Sequence, residues 1–331
     1  MIAFFQLLGG LVLLIYAGDA LVRGAVSLSR RFDIPPMIVG LTVVAFGTSA
    51  PELVVGIDAV LTGVPTLALG NVVGSNIANI WLVVGLPALI APMICNAEKC
   101  RRNMFTMLGV TVLFIGLAFT REFNLWTAFI LLGTLGLFLY FSTTGKSKNG
   151  TYEEILDEIE GLPVRPDPFR LCAILLLAGI VGLSIGAHFF VLGAVDLAFM
   201  LGVPEAVIGL TLVALGTSIP ELVTAIAASM RRHCDVAIGN ILGSNIFNLL
   251  AIIGISSLFG DIPVPQGFLD FDLWIMLLAA LTFLPFAFFG KNVGRFSGLM
   301  FCAAYVFYVI LLASGASGIE YLPPTNMGVM P

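Results

Sequence analysis

The chain has 331 residues, of which 59% are hydrophobic and only 11% charged, and its net charge is −5. Soluble globular domains carry about 25% charged residues, so this composition excludes a water-facing surface and makes the bilayer the solvent. The thin negative charge argues for no nucleic-acid partner.

Ten apolar stretches come near the ~20 residues that cross a hydrocarbon core: 2–29, 36–61, 66–94, 104–120, 124–142, 169–199, 204–229, 236–259, 272–289 and 296–314. Continuous runs of this length are not barrel strands, and otherwise only helices satisfy their backbones in lipid. The expected fold is an all-α polytopic membrane protein with ten transmembrane helices.

In the first stretch Asp19 and Arg23 stand four apart, in the order that favours an intrahelical ion pair. No Lys or Arg precedes it, so it reads as a retained first helix and not a cleaved signal peptide. The second stretch contains GLTVVAFGTSAPE at 40–52. Pro51 removes a backbone donor and clashes with the preceding turn, so a break is predicted around Ala45 to Gly47. Broken backbone at membrane depth is tolerated where it lines a cavity. The carbonyl of Ala45, the hydroxyls of Thr48 and Ser49 and the carboxylate of Glu52 would face it. Asp58 follows near the far helix end.

The third stretch contains GNVVGSNIAN at 70–79. Gly70 and Gly74 loosen the helix, and Ser75 and Asn79 place oxygens one turn apart on one face. Asn76 reads first as helix–helix glue, as does Asn245 in the other half. Cys95 and Cys100 flank the next loop. Zinc held by them with His233 and Cys234 is conceivable, but the spacing matches no common metal pattern, and the five cysteines are expected as free thiols.

A connector over 143–168 separates residues 1–142 from 169–331. Thr151 and Glu154 resemble a capping box opening a short acidic helix; a solvated tether or a Ca2+-sensing or docking segment would both suit it. In the sixth stretch GLSIG at 182–186 matches G-x-S-x-G, with His188 beyond it. A hydrolase elbow needs a strand–turn–helix context, which a mid-helix position denies. Asp196 lies near the end of this stretch.

The seventh stretch contains GLTLVALGTSIPE at 209–221, ten of thirteen positions identical to 40–52, and the eighth GNILGSNIFN at 239–248, seven of ten identical to 70–79. The second copy supplies Ala214, Thr217, Ser218, Glu221, Ser244 and Asn248. Five helices per half put the copies in the membrane upside down to each other. Paired Gly/Pro-interrupted helices in inverted halves point to a transporter's binding site. Every donor in the set is a hard oxygen, which suits Ca2+ and Na+. Two buried carboxylates are too costly to keep as packing, and their −2 matches one Ca2+ or two Na+.

GTSAPE/GTSIPE and GNVVGSN/GNILGSN resemble the two α-repeats of the cation/Ca2+ antiporter superfamily, and among its members the short prokaryotic Na+/Ca2+ exchangers. The resemblance implies two inverted five-helix repeats, alternating access, transported Na+ and Ca2+ as substrates, and no cofactor or obligatory protein partner. It implies that Glu52 and Glu221 bind both ions. Thr48, Ser49, Ser75, Thr217, Ser218 and Ser244 would mainly serve Na+, with the carbonyls of Ala45 and Ala214. It also implies that the first two helices, with the sixth, slide against the rest. One departure is Asn at both Asn79 and Asn248, where many relatives carry at least one Asp.

Arg30, Arg31, Lys99, Arg101, Arg102, Lys146, Lys148, Arg165, Arg170, Arg231, Arg232, Lys291 and Arg295 fall on one side, Arg121 on the other. Basic loops stay cytoplasmic, so both termini should face outward from the cytoplasmic membrane of a prokaryote. A Ca2+/H+ or other divalent-cation antiporter is the alternative, and a passive cation channel the competing class. No paired nucleophile and base supports an enzyme.

Overall fold

A computed structural model describes residues 2–93, 97–144, 168–201 and 216–313. The capping box, Cys95 and Ala214 lie outside the described residues.

Proline and glycine punctuate the helices. α1 (Ile2–Phe32) is followed by α2 (Pro36–Thr48) and α3 (Ala50–Leu61), which meet at a 43° bend. α4 (Pro65–Ile90) loosens at Leu82–Val84; α5 (Ala97–Ala118) and α6 (Leu125–Thr144) complete the first half. The second half has α7 (Phe169–Met200), α8 (Ile219–Met230), α9 (Cys234–Ser256), α10 (Phe268–Phe289) and α11 (Arg295–Ala313). Proline opens α2 and α4, where its missing N–H costs nothing, and Gly290 at φ 61 ends α10 in the left-handed conformation.

Among the described residues seven helices are long and apolar enough to cross a membrane, or eight if α2 and α3 form one span. The stretches expected at 104–120 and 204–229 account for the shortfall from ten. α5 opens with Glu98, Lys99, Arg101 and Arg102, and most of the segment before α8 lies outside the described residues. α10 begins at Phe268, four residues earlier than expected, which draws Asp270 into the helix.

α9 is the axis of the bundle. Every residue from Val236 to Gly254 is buried, as suits a helix apolar all round, and α2, α4, α5 and α8 pack on it. The outer helices expose large apolar side chains instead, such as Phe4, Phe5 and Tyr16 on α1 and Trp126, Phe129 and Tyr140 on α6. Such a surface belongs against lipid tails.

α1 and α7 form a tight antiparallel pair built on glycine. A Cβ added at Gly179 would lie 2.8 Å from the Leu21 nitrogen, one at Gly10 2.5 Å from that of Phe190. Gly24 meets Leu176 in the same way and Gly193 meets Leu7. Each contact recurs with the two halves exchanged at the offset of 169 residues. The second stretch packs mainly on α9 and less on α1, because it carries the first motif into the centre. Gly40, Gly239 and Gly243 permit that approach, each set against backbone of the facing helix. Short strands β1 (Glu122–Phe123) and β2 (Ile262–Pro263) pair antiparallel, and a Met93–Val293 bridge ties two further loops.

Candidate cation site

Both motifs break at their serine. Ser49 (φ −85, ψ 6) separates α2 from α3, and Ser218 (φ −88, ψ 2) precedes α8. These angles lie in the sparsely used bridge region, where many functional-site residues sit. Proline follows in each copy, so Glu52 and Glu221 both fall in the first turn of a new helix. The positive end of the helix dipole favours a carboxylate there. A π-helical turn over Gly40–Val44 precedes the first break, and another begins at Asn248; such turns are frequent at functional sites.

The two carboxylates are 1% and 0% exposed and lie within Coulombic reach of each other. Their surroundings differ. Glu221 Oε1 accepts hydrogen bonds from the Ser49 hydroxyl at 3.1 Å and the Ser244 hydroxyl at 3.4 Å. Neither oxygen of Glu52, nor Oε2 of Glu221, meets a hydrogen-bond donor from another described residue. Ser75 Oγ, Ser218 Oγ, Asn79 Oδ1 and Asn248 Oδ1 likewise have no partner among the described residues, and Asn248 Nδ2 finds no acceptor there. All are buried. Buried polar atoms are nearly always bonded, so two buried carboxylates and these neutral groups of the same two motifs, left without partners among the described residues, form the kind of unsatisfied polar set that a cation would complete.

Asn76 and Asn245 hold the repeats together. Asn76 Nδ2 donates to the Asn245 carbonyl at 3.3 Å, and Asn245 Nδ2 to the Asn76 carbonyl at 3.4 Å. That reciprocity fits the expected helix–helix glue. Asn79 Nδ2 donates to Asn245 Oδ1 at 3.0 Å, which leaves its own oxygen open. The Ala45 carbonyl is not freed by Pro51 as expected: it accepts from the Ser49 N–H at 3.0 Å and the Thr48 hydroxyl at 3.3 Å. The threonines reach residues that the motif reading passed over. Thr48 donates to Asn240 Oδ1 at 3.2 Å and Thr217 to Asn71 Oδ1 at 3.1 Å.

A cavity of about 170 Å³ lined by Leu82, Phe190, Val191, Ala194, Ile219 and Leu222 reaches Ser218. Among the described residues no group of three or more His, Cys, Asp or Glu side chains converges; the neutral oxygens make up the set. Asp272 was also missed. It is 2% exposed, accepts from the Tyr308 hydroxyl at 3.0 Å, and its Oδ2 has no hydrogen-bond partner.

The lesser candidates divide. Arg23 Nε lies 3.1 Å from Asp19, as expected, but Arg231 beyond α8 also bonds Asp19, so the pair bridges helices. Asp58, Asp196 and His188 are exposed. Ser184 donates to the Ile180 carbonyl at 3.0 Å within α7, and Gly182 and Gly186 pack on α1, which accounts for GLSIG by packing.

Residues 2–144 and 171–313 match the family described as sodium/calcium exchanger protein. The chain is 35% identical to the putative antiporter CaxA of Alkalimonas amylolytica, over 95% of this chain and 99% of that one. It is 33% identical to the sodium/calcium exchanger MaX1 of Methanosarcina acetivorans, over 93% and 98%. A solved structure of the sodium-calcium exchanger NCX_Mj superposes with a TM-score of 0.79 at 29% identity, covering 94% of this chain and 99% of that one.

Proposed function

Because the chain belongs to the sodium/calcium exchanger protein family, we propose that it exchanges Na+ for Ca2+ by alternating access at the site around Glu52 and Glu221. The observation that carries this reading is a pair of buried carboxylates with three of four oxygens lacking donors among the described residues, accompanied in the same two motifs by unbonded buried oxygens of Ser75, Ser218, Asn79 and Asn248. Ca2+ accepts six to eight oxygen ligands in flexible geometry, and carboxylate, amide and hydroxyl groups are what this cavity offers. Glu52, Glu221, Asn79 and Asn248 would serve Ca2+. Thr48, Ser49, Ser75, Thr217, Ser218 and Ser244 would mainly serve Na+, with the carbonyl of Ala45 once the Thr48 hydroxyl turns away from it and with that of Ala214. With no ion present, two like charges face each other in a low-dielectric site. Crossing unloaded is therefore disfavoured, which is the condition for exchange over leak.

The reciprocal contacts at the offset of 169 residues support two inverted repeats of five helices. The basic loops support termini that face outward. MaX1 is described as a sodium/calcium exchanger and NCX_Mj as a sodium-calcium exchanger soaked with Na+ and with Ca2+ or Sr2+; the same ions are the substrates proposed here.

The test is Ca2+ uptake into proteoliposomes loaded with Na+. Wild type should take up Ca2+ in proportion to the Na+ gradient. Glu52→Gln, which removes a buried charge worth roughly 3–5 kcal/mol to its partner ion, should lower uptake at least a hundredfold. Uptake driven by a pH gradient alone would replace the reading with Ca2+/H+ exchange. Flux that needs no counter-ion would make the protein a channel.

A further inference from the structure

Asn71 and Asn240 stand second in the Gly-Asn pairs that open the two α-repeat motifs on α4 and α9, and each faces a threonine of the other half. Thr48 donates to Asn240 Oδ1 and Thr217 to Asn71 Oδ1, at 3.2 and 3.1 Å. The two bonds exchange roles at the offset of 169 residues, so they are one arrangement made twice. Gly239 and Gly243 on α9 set it in place: the Met37 and Leu41 carbonyls of α2 lie where a Cβ would stand. Gly243 also meets Ala45, three residues before Thr48, so α9 runs close to the end of α2 from which Thr48 reaches Asn240.

A hydroxyl has one proton and two lone pairs. It can coordinate a cation only when the proton points elsewhere. Left alone on a helix, a threonine gives its proton to a carbonyl three or four residues back, as Thr48 in part does to Ala45 at 3.3 Å, and the Glu221 carboxylate is a second acceptor within its reach. That bond occupies the Ala45 oxygen. An amide oxygen on the neighbouring helix offers the proton another acceptor and frees the carbonyl. Meanwhile Nδ2 of Asn71 and of Asn240 is buried without a hydrogen-bond partner. Leaving a buried donor unbonded is costly, so these amides are poorly explained as glue. They differ in this from Asn76 and Asn245, whose Nδ2 atoms are bonded.

We propose that Asn240 and Asn71 are positioning residues that hold the protons of Thr48 and Thr217 away from the site, turning the hydroxyl lone pairs toward it and setting its affinity for Na+. The proposal rests on the exchange reading for the identity of the ions, and it deepens that reading by separating Na+ from Ca2+. Outer partners of this kind orient ligands that they never replace. Ca2+, held chiefly by carboxylates, depends little on them.

Equilibrium binding to the full chain in detergent tests it, read as thermal stabilisation by Na+ or by Ca2+ titrated separately. Asn240→Ala should raise the half-stabilising Na+ concentration roughly five- to tenfold, the worth of one buried hydrogen bond, and that of Ca2+ by less than about twofold. In a Thr48→Val background the same change should add nothing, because the proton it orients is gone. The cycle of Asn71→Ala with Thr217→Val repeats the measurement should the first pair fail to fold. Equal losses for both ions, or additive effects of the two substitutions, overturn the proposal, as does a wild-type protein that Na+ does not stabilise. The assay involves no transport, so failed Na+-driven uptake alone counts against the exchange reading and leaves this cycle decisive.

Discussion

Asn248 is fully buried at the first residue of a π-helical turn, and neither of its polar atoms has a hydrogen-bond partner. Its equivalent in the other half is Asn79, whose amide nitrogen is already committed to Asn245. An acid at 248 would add a third buried carboxylate to the motifs that hold Glu52 and Glu221. Like charges a few ångströms apart repel by roughly 4 kcal/mol per pair at an effective dielectric of about 20. Asn248→Asp should therefore lower the melting temperature in chelator and enlarge the stabilisation that Ca2+ restores. It should also change the Na+ dependence of uptake; identical kinetics and an unchanged apo melting point would show that 248 lies outside the ion's field. The glutamates were legible in the sequence because a carboxylate inside an apolar stretch stands alone and the motif repeats it. Asn71, Asn240 and Asp272 were not. Their roles depend on partners 146, 192 and 36 residues away, and no local pattern states which polar atoms of two motifs will meet.

At the scale of the helices, glycine separates what can move from what cannot. α1 and α7 touch through backbone at Gly10, Gly24, Gly179 and Gly193, so the pair behaves as one body. Membrane helices approach this closely where small residues admit backbone contact. A Cβ at Gly193 would sit 2.5 Å from the Leu7 nitrogen and against the Ala3 carbonyl, with no flexible side chain to yield. Gly193→Val should thus lower the melting temperature in detergent, at a cost of at least the 1–3 kcal/mol of an overpacked core. Gly133→Val, on α6 where nothing lies within 4 Å of the added atom, is the control and should leave it nearly unchanged. Most helix positions were legible from apolar length, because lipid permits little else. What escaped was partnership. The packing of α2 on α9 through Gly40 and through Gly239 and Gly243 of the facing motif is not stated by either motif alone.

Across the whole molecule, the two ends of α8 differ. The 170 Å³ cavity reaches Ser218 along the half of α7 farther from Arg170, while at the arginine-rich end Asp19 binds both Arg23 and Arg231 and ties α1 to the foot of α8. The residue equivalent to Asp19 in the other half is His188, which is exposed, so the tie has no symmetric twin of the same chemistry. If the α1–α7 body shifts against α8 during exchange, the ion pair must part. An exposed pair contributes only about 0–1 kcal/mol, enough to bias an arrangement and too little to freeze it. Gly18 and Ala227 offer a lock that does freeze it. A Cβ at Gly18 would lie 3.7 Å from that of Ala227, the separation a disulfide requires, with only the Val223 side chain to move aside. In a chain whose native cysteines are replaced, Gly18→Cys with Ala227→Cys should cross-link readily. The oxidised protein should keep its thermal stabilisation by Ca2+ yet lose at least about 90% of Na+-driven uptake, because ligand affinity and passage between states are separable. Reductant should restore uptake. Arg231→Ala in the same chain should slow cross-linking by up to about fivefold, the population shift that 1 kcal/mol allows. Full uptake by a fully cross-linked protein would mean that α1 and α8 travel together, and the moving boundary would then have to lie between α8 and α9.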